Sequence, residues 1–241
     1  MVDSKAINRL GSKLKLLSLG NPKVLKSLGQ GYLTAILHLA PAKESGFNTC
    51  PSATPECSSA CLYFAGRGAF QKIQDARIRK TRQFFEDRPA FLTQLKADIK
   101  HITKADIPEI PNCQTLIRLN GTSDIRWELY GIPQAFPHAQ FYDYTKIPNR
   151  KDVPPNYSLI FSFSGDNLGA CLNELALGHN VAVPFMERPD VWQGYHVIDG
   201  DEDDLRFLDA APCIVGLKAK GKLRKQPTSK FLGDNHTWPA T

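Results

Sequence analysis

Seven short apolar runs recur along the chain: Tyr32–Leu39, Thr115–Leu119, Gln140–Tyr144, Ser158–Phe163, Asn180–Pro184, His196–Asp199 and Cys213–Leu217. They are rich in β-branched and aromatic residues, which favour strands. Several are nearly continuously apolar, such as LIFSF at 159–163 and NVAVPF at 180–185. Strands covered on both faces read this way, and parallel sheets are covered on both faces. Between the runs lie helix candidates. Ala76–Glu86 and Pro89–Lys104 are the longest. The second has Pro89 just inside its start and Asp87 as its N-cap. Ser123–Tyr130 and Asn167–Leu177 are shorter, each followed by a glycine, Gly131 or Gly178, at the C-cap. Alternating strands and helices predict an α/β fold with a mostly parallel sheet. The later strands follow too closely for a helix in every connection. A partial or degenerate TIM-like (β/α) barrel therefore fits better than a complete one.

The chain has 241 residues, with 42% hydrophobic and 22% charged residues. This is ordinary globular composition and excludes disordered, collagen-like and coiled-coil readings. Its size can bury a full core without disulfide staples. We read one domain over 1–241. No apolar run approaches the roughly 20 residues of a membrane span, and the N-terminus lacks a secretory apolar region, so a cytoplasmic protein with no membrane partner is expected. The net charge is +6 and unevenly spread. Residues 1–30 and 217–241 carry +5 each, which leaves −4 for the middle. Basic ends of this kind, here 1–30 and 218–241, suit phosphate or nucleic acid if they meet, and solvated tails if they do not. Aromatic residues are not interleaved with these lysines in the sequence, so no base-stacking platform is evident.

The long irregular segment starting at residue 41 holds three of the six cysteines, Cys50, Cys57 and Cys61, spaced C-x6-C-x3-C within a loop over 41–68. The others, Cys113, Cys171 and Cys213, are scattered. Clustered thiols in a reducing compartment point to metal or redox chemistry. Zinc sites normally show a second Cys or His pair, and none is present. Three thiolates without a fourth suit a [4Fe–4S] cluster with one open iron. Zinc, a redox pair and inert thiols remain the alternatives. The spacing differs from the C-x3-C-x2-C of the main radical S-adenosylmethionine (SAM) enzymes.

The cysteine loop, RLNGTSDIRWE (118–128), FYDYTK (141–146), SFSG (162–165), NVAVPF (180–185), VIDGDEDDLRFLD (197–209) and IVGLKAKG (214–221) resemble a family of uncharacterised phage and plasmid proteins. The family is named after a numbered gene product of a mycobacteriophage. The resemblance runs from about Leu16 to Gly221 and implies a phage protein acting in a bacterial host's cytoplasm. An N-terminal three-cysteine loop followed by a β/α series is also similar in layout to radical SAM proteins. That likeness implies SAM as a cofactor, held partly at a glycine-containing strand end.

Asn120, Gly121, Thr122, Ser123 and Asp124 follow a strand, and their backbone amides could hold a cofactor carboxylate. The same residues suit a capped helix start. Ser162 and Ser164 end a second buried strand with similar geometry and join them as cofactor contacts. Asp143, Tyr144 and Lys146 end another strand, where α/β sites form, and are candidate substrate contacts. Lys218 and Lys220 could meet phosphate on a substrate or belong to a basic tail. Asp199–Asp204 is acidic but is no EF-hand, because Gly and Glu are missing where that loop needs them. It reads as a charged helix start, with Mg²⁺ binding as the alternative. Arg67, Lys72, Arg77, Arg79, Lys80 and Arg82 follow the cysteines and could contact nucleic acid next to a cluster, but read more readily as a solvated helix face. No P-loop, dinucleotide fingerprint, HExxH, GxSxG or deaminase motif is present. The leading expectation is a phage iron–sulfur protein, with radical SAM-like chemistry as its extension. The alternative is a zinc-stabilised, non-enzymatic module that binds nucleic acid or a host protein. Oligomeric state is left open.

Overall fold

A computed structural model describes residues 4–19, 26–104 and 113–235. Lys23 and His236 lie outside the described residues, so the basic ends are described only in part. Among the described residues nine strands form one sheet in the order β1-β2-β3-β4-β5-β6-β9-β8-β7. They are β1 (Leu17–Ser18), β2 (Tyr32–Leu37), β3 (Gln114–Arg118), β4 (Gln140–Thr145), β5 (Tyr157–Ser162), β6 (Val181–Phe185), β7 (Val191–Trp192), β8 (Tyr195–Asp199) and β9 (Ile214–Lys218). From β2 through β6 to β9 and β8 every pairing is parallel. Only the two-residue strands β1 and β7 pair antiparallel. The seven expected strands are all present within one or two residues at each end. β1 and β7 are too short to leave a periodic signal.

The helices are α1 (Ser4–Ser12), α2 (Ala42–Ser45), α3 (Pro55–Ser59), α4 (Gln71–Glu86), α5 (Arg88–Thr103) and α6 (Leu168–Ala176). The side chain of Asp87 caps α5 by accepting from the Ala90 amide, with proline in the first turn. α6 runs into Gly178, whose φ of 85° closes the helix in the left-handed region. The expected helix Ser123–Tyr130 does not form. Only a 3-10 turn, Trp127–Tyr130, is present, closed by Gly131 at φ 63°. The cause is Asn120, whose side chain accepts from the Ile125 amide and donates to the Ile125 carbonyl, pulling those backbone groups out of a helical ladder. Asp199–Asp204 opens no α-helix either. Its carboxylates turn to Arg118, Arg206 and the amides of Asp201 and Leu205.

Sequential parallel order with right-handed crossovers places the connecting helices on one face of a sheet. Phe84 of α4 and Phe91, Leu95 and Ile99 of α5 bury against Leu33, Ile117 and Phe141. Cys171 and Leu175 of α6 bury against Phe161, Val183 and Ile214. Alternate strand positions supply the other face, where Leu205 packs on Leu116 and Tyr142, with Phe207 against them. Both faces are thus covered, as the continuous apolar strands require.

Candidate metal centre at the carboxyl edge of the sheet

The cysteine loop is the connection that leaves β2, the first parallel strand. It is not featureless, since α2, α3 and two 3-10 turns lie within it. Thr49 and Thr54 fasten it across the carboxyl ends of β2, β3 and β5, and Thr122 ties the β3 end to the β2 end. Thr49 donates through Oγ1 to the Ala40 carbonyl (3.1 Å), just beyond β2. Its own carbonyl accepts from the Asp124 amide (2.8 Å), beyond β3. Thr122 donates to the Leu39 carbonyl (2.6 Å). Thr54 donates to the Ser164 carbonyl (2.9 Å), beyond β5. The same Thr54 oxygen accepts from the Cys57 amide (3.1 Å) and so caps α3, with Pro55 at its start.

Cys50, Cys57 and Cys61 are half-buried free thiols. Cys50 Sγ lies 3.8 Å from Thr49 Oγ1 and 4.0 Å from the Thr122 carbonyl oxygen. Burial pushes its thiol up to about 11, against the pull of Thr49 and Lys146, while the charges of Asp124 and Cys61 add to the rise. Burial also raises the Cys61 thiol; the charge of Cys57 raises it further, and Lys146 and Arg77 oppose the rise. Cys61 therefore lies within electrostatic reach of both other cysteines, with Lys146 and Arg77 as the nearby cations. Among the described residues no three His, Cys, Asp or Glu side chains stand at the mutual distances a single metal ion needs.

Asp124 faces this group from the β3 end. Its carboxylate accepts from Thr145 Oγ1 (2.8 Å) and the Lys146 amide (2.7 Å), and burial raises its pKa. A cleft of about 240 Å³ opens beside Cys50, walled by Asn48, Pro51, Phe84, Tyr130, Ile147 and Asp124. It is largely apolar with one carboxylate on its wall.

The remaining candidates separate into groups. Gly121 is a close-approach position: a Cβ there would stand 2.6 Å from Ile36 Cγ2 and 2.8 Å from the Leu37 carbonyl oxygen. The amides of Asn120 and Gly121 donate to Asp143 and Leu37. Asn120 Oδ1 accepts from Ser123 Oγ, the Ile125 amide and Trp127 Nε1. Ser162 and Ser164 bond through their backbones to Asn167. Asp143 is buried inside β4, accepting from the Leu119 and Asn120 amides and Tyr157 Oη. Tyr144 points to the opposite face, where it, Tyr142 and Arg118 all donate to Asp204. Lys218 and Lys220 sit at Asp201, which accepts from the Lys218 amide and pairs with Lys220 Nζ. Lys26 Nζ donates to the carbonyl of the same Asp201 (3.3 Å), so the described parts of the two basic ends meet there. Of the candidates, the structure gathers Cys50, Cys57, Cys61, Thr122, Asp124, Lys146 and the Ser164 carbonyl.

Sequence reasoning missed His38, at the carboxyl end of β2, whose ring lies against Gly121. Burial lowers its pKa to about 3, and the charges of Arg77, Arg118 and Lys80 add to that, so the ring is neutral at physiological pH. Its place at the end of the first parallel strand was the available signal. Arg77 and Lys80 are also not merely a solvated helix face. Arg77 donates to the Tyr63 carbonyl and Lys80 to the Leu16 carbonyl.

Fold and site together define an α/β protein with a sequentially wound parallel sheet and a cysteine-bearing loop fastened over its carboxyl edge. The chain belongs to the family described as Gene product 88, whose model matches residues 13–234. No curated protein and no solved structure matches the chain. Among the described residues no helix is long and apolar enough to cross a membrane.

Proposed function

We propose that this protein binds a [4Fe–4S] cluster through Cys50, Cys57 and Cys61, at the carboxyl edge of a partial (β/α) barrel. The observation that carries the reading is the fastening of the cysteine loop across the ends of β2, β3 and β5 through the Thr49 hydroxyl, the Thr49 carbonyl and the Thr54 hydroxyl. This puts three thiols where parallel α/β folds place their chemistry. One further observation supports it. Lys146 and Arg77 stand near the thiols and would offset the negative charge of a thiolate-bound cluster.

Were Cys50, Cys57 and Cys61 to hold a cluster with one iron open, it would supply an electron to SAM bound there. In the radical SAM extension of this reading, Thr122 and Asp124 flank that position, and the cleft beside Cys50 receives the substrate. The protein's own part is to orient these groups and exclude water.

Anaerobic purification or reconstitution tests the proposal. The expected product is brown, absorbs broadly near about 400 nm and carries about four irons and four sulfides per chain. Cys57→Ala should lose the iron, whereas Cys213→Ala, buried on the far face of the sheet, should keep it. Colourless protein holding one zinc per chain, or Cys57→Ala with full iron, would overturn the assignment. SAM turnover by the reduced protein would extend it to an enzyme.

A further inference from the structure

We propose that the protein carries a surface for single-stranded nucleic acid where the turn Gly221–Lys225 lies against the chain leaving Cys61. The two segments are about 150 residues apart in sequence, so reading the chain in order does not bring Phe64 beside Lys222. Folding removes that separation. Leu223 buries in one cluster with Ala60, Ala219 and Leu232. Lys222 Nζ sits 5.1 Å from the centre of the Phe64 ring. A Cβ on Gly221 would lie 3.4 Å from Ala65 Cβ.

The composite surface has the two properties a single strand needs. The first is uncompensated positive charge. No acidic residue occurs in 61–73 or 210–233. Arg67, Lys72, Arg224 and Lys225 are exposed and make no ion pair among the described residues. α4 begins in the same stretch with no side-chain cap and no acid in its first turn, so its positive end adds to the field. The second property is exposed flat and apolar surface. Phe70 is 64% exposed and Leu62 54%. An exposed ring amid cations stacks on unpaired bases while the cations meet phosphates. Bases inside a duplex offer no free face to such a ring, so the single strand is the form this surface fits. The inference does not depend on the metal, because none of these residues is a thiol ligand.

The test is fluorescence anisotropy of the full chain with a labelled oligothymidylate of about 20 nucleotides. Contact with four or five phosphates gives a slope of log K against log salt of roughly −3. Replacing Lys222, Arg224 and Lys225 by Ala should flatten that slope by about 2. Phe70→Ala should weaken binding about 5- to 100-fold at fixed salt and leave the slope unchanged. These side chains are exposed, so the variants should melt like the parent. Cys57→Ala should bind the oligonucleotide like the parent, which separates this proposal from the cluster reading. Three outcomes would overturn it: no binding at low salt, duplex bound as tightly with no effect of Phe70→Ala, or binding to anionic lipid vesicles in place of the oligonucleotide.

Discussion

Asp143 is a carboxylate with no contact to water, held by two backbone amides, a tyrosine hydroxyl and, 3.9 Å away, Arg118 Nε. Burial pushes its pKa up to about 7, although Arg118 and the three donors oppose the rise. An acid with a higher pKa folded than unfolded holds its proton more tightly in the native state. Its contribution is therefore complete below about pH 4 and drains away as pH rises through about 7. Asp143→Asn cannot ionise. Urea midpoints measured at about pH 4 and pH 8 should show the parent losing stability over that window relative to the variant. Asn120 presents a different residue-scale case. Its carboxamide oxygen serves three donors, and Asn120→Ala leaves the Trp127 indole, the Ser123 hydroxyl and the Ile125 amide without it. The cost should be about 2–4 kcal/mol in urea unfolding. A cost near zero would mean that water replaces the carboxamide. Neither role was legible in the sequence. Asp143 read as a strand-end ligand and Asn120 as an anion-binding turn, because residue type reveals polarity but not which neighbours consume it.

At the scale of elements, the local signals that survived folding were those with a backbone mechanism. Asp87 capping α5 and the left-handed Gly131 and Gly178 are of this kind. The expected helix at Ser123–Tyr130 failed because one side chain, reaching five residues along, outcompeted weak local propensity. The cysteine loop was recognisable from the crowding of its thiols, but its ties to the ends of β3 and β5 were not, since they join residues far apart in the chain. The loop's electrostatics carry a prediction. Cys50 and Cys61 have thiols raised by burial and bind metal only as thiolates, so loading must release protons. Apparent metal affinity, measured by chelator competition, should rise roughly tenfold per pH unit for each proton released between about pH 7 and 9. A flat profile would show that these thiols are not the ligands.

At the scale of the whole molecule, the parallel sheet was legible because strands buried on both faces leave apolar runs that few other structures produce. Strand order was not legible, nor was the β7–β8 hairpin at the far edge. Strand order is set by pairings that no local window contains, whereas the hairpin is local, turning at Gln193 and Gly194, and escaped notice because β7 has only two residues. The same blindness separated Phe64 from Lys222, which the fold unites.

The hydroxyls of Thr49, Thr54 and Thr122 have a further consequence. They hold the mouth of the sheet in shape without using a single sulfur. If the proposed cluster sits there, a chain that loses it to oxygen would keep its scaffold and be refilled in place. Damage and repair would then be a matter of restocking an intact receptacle, with no need to make the polypeptide again.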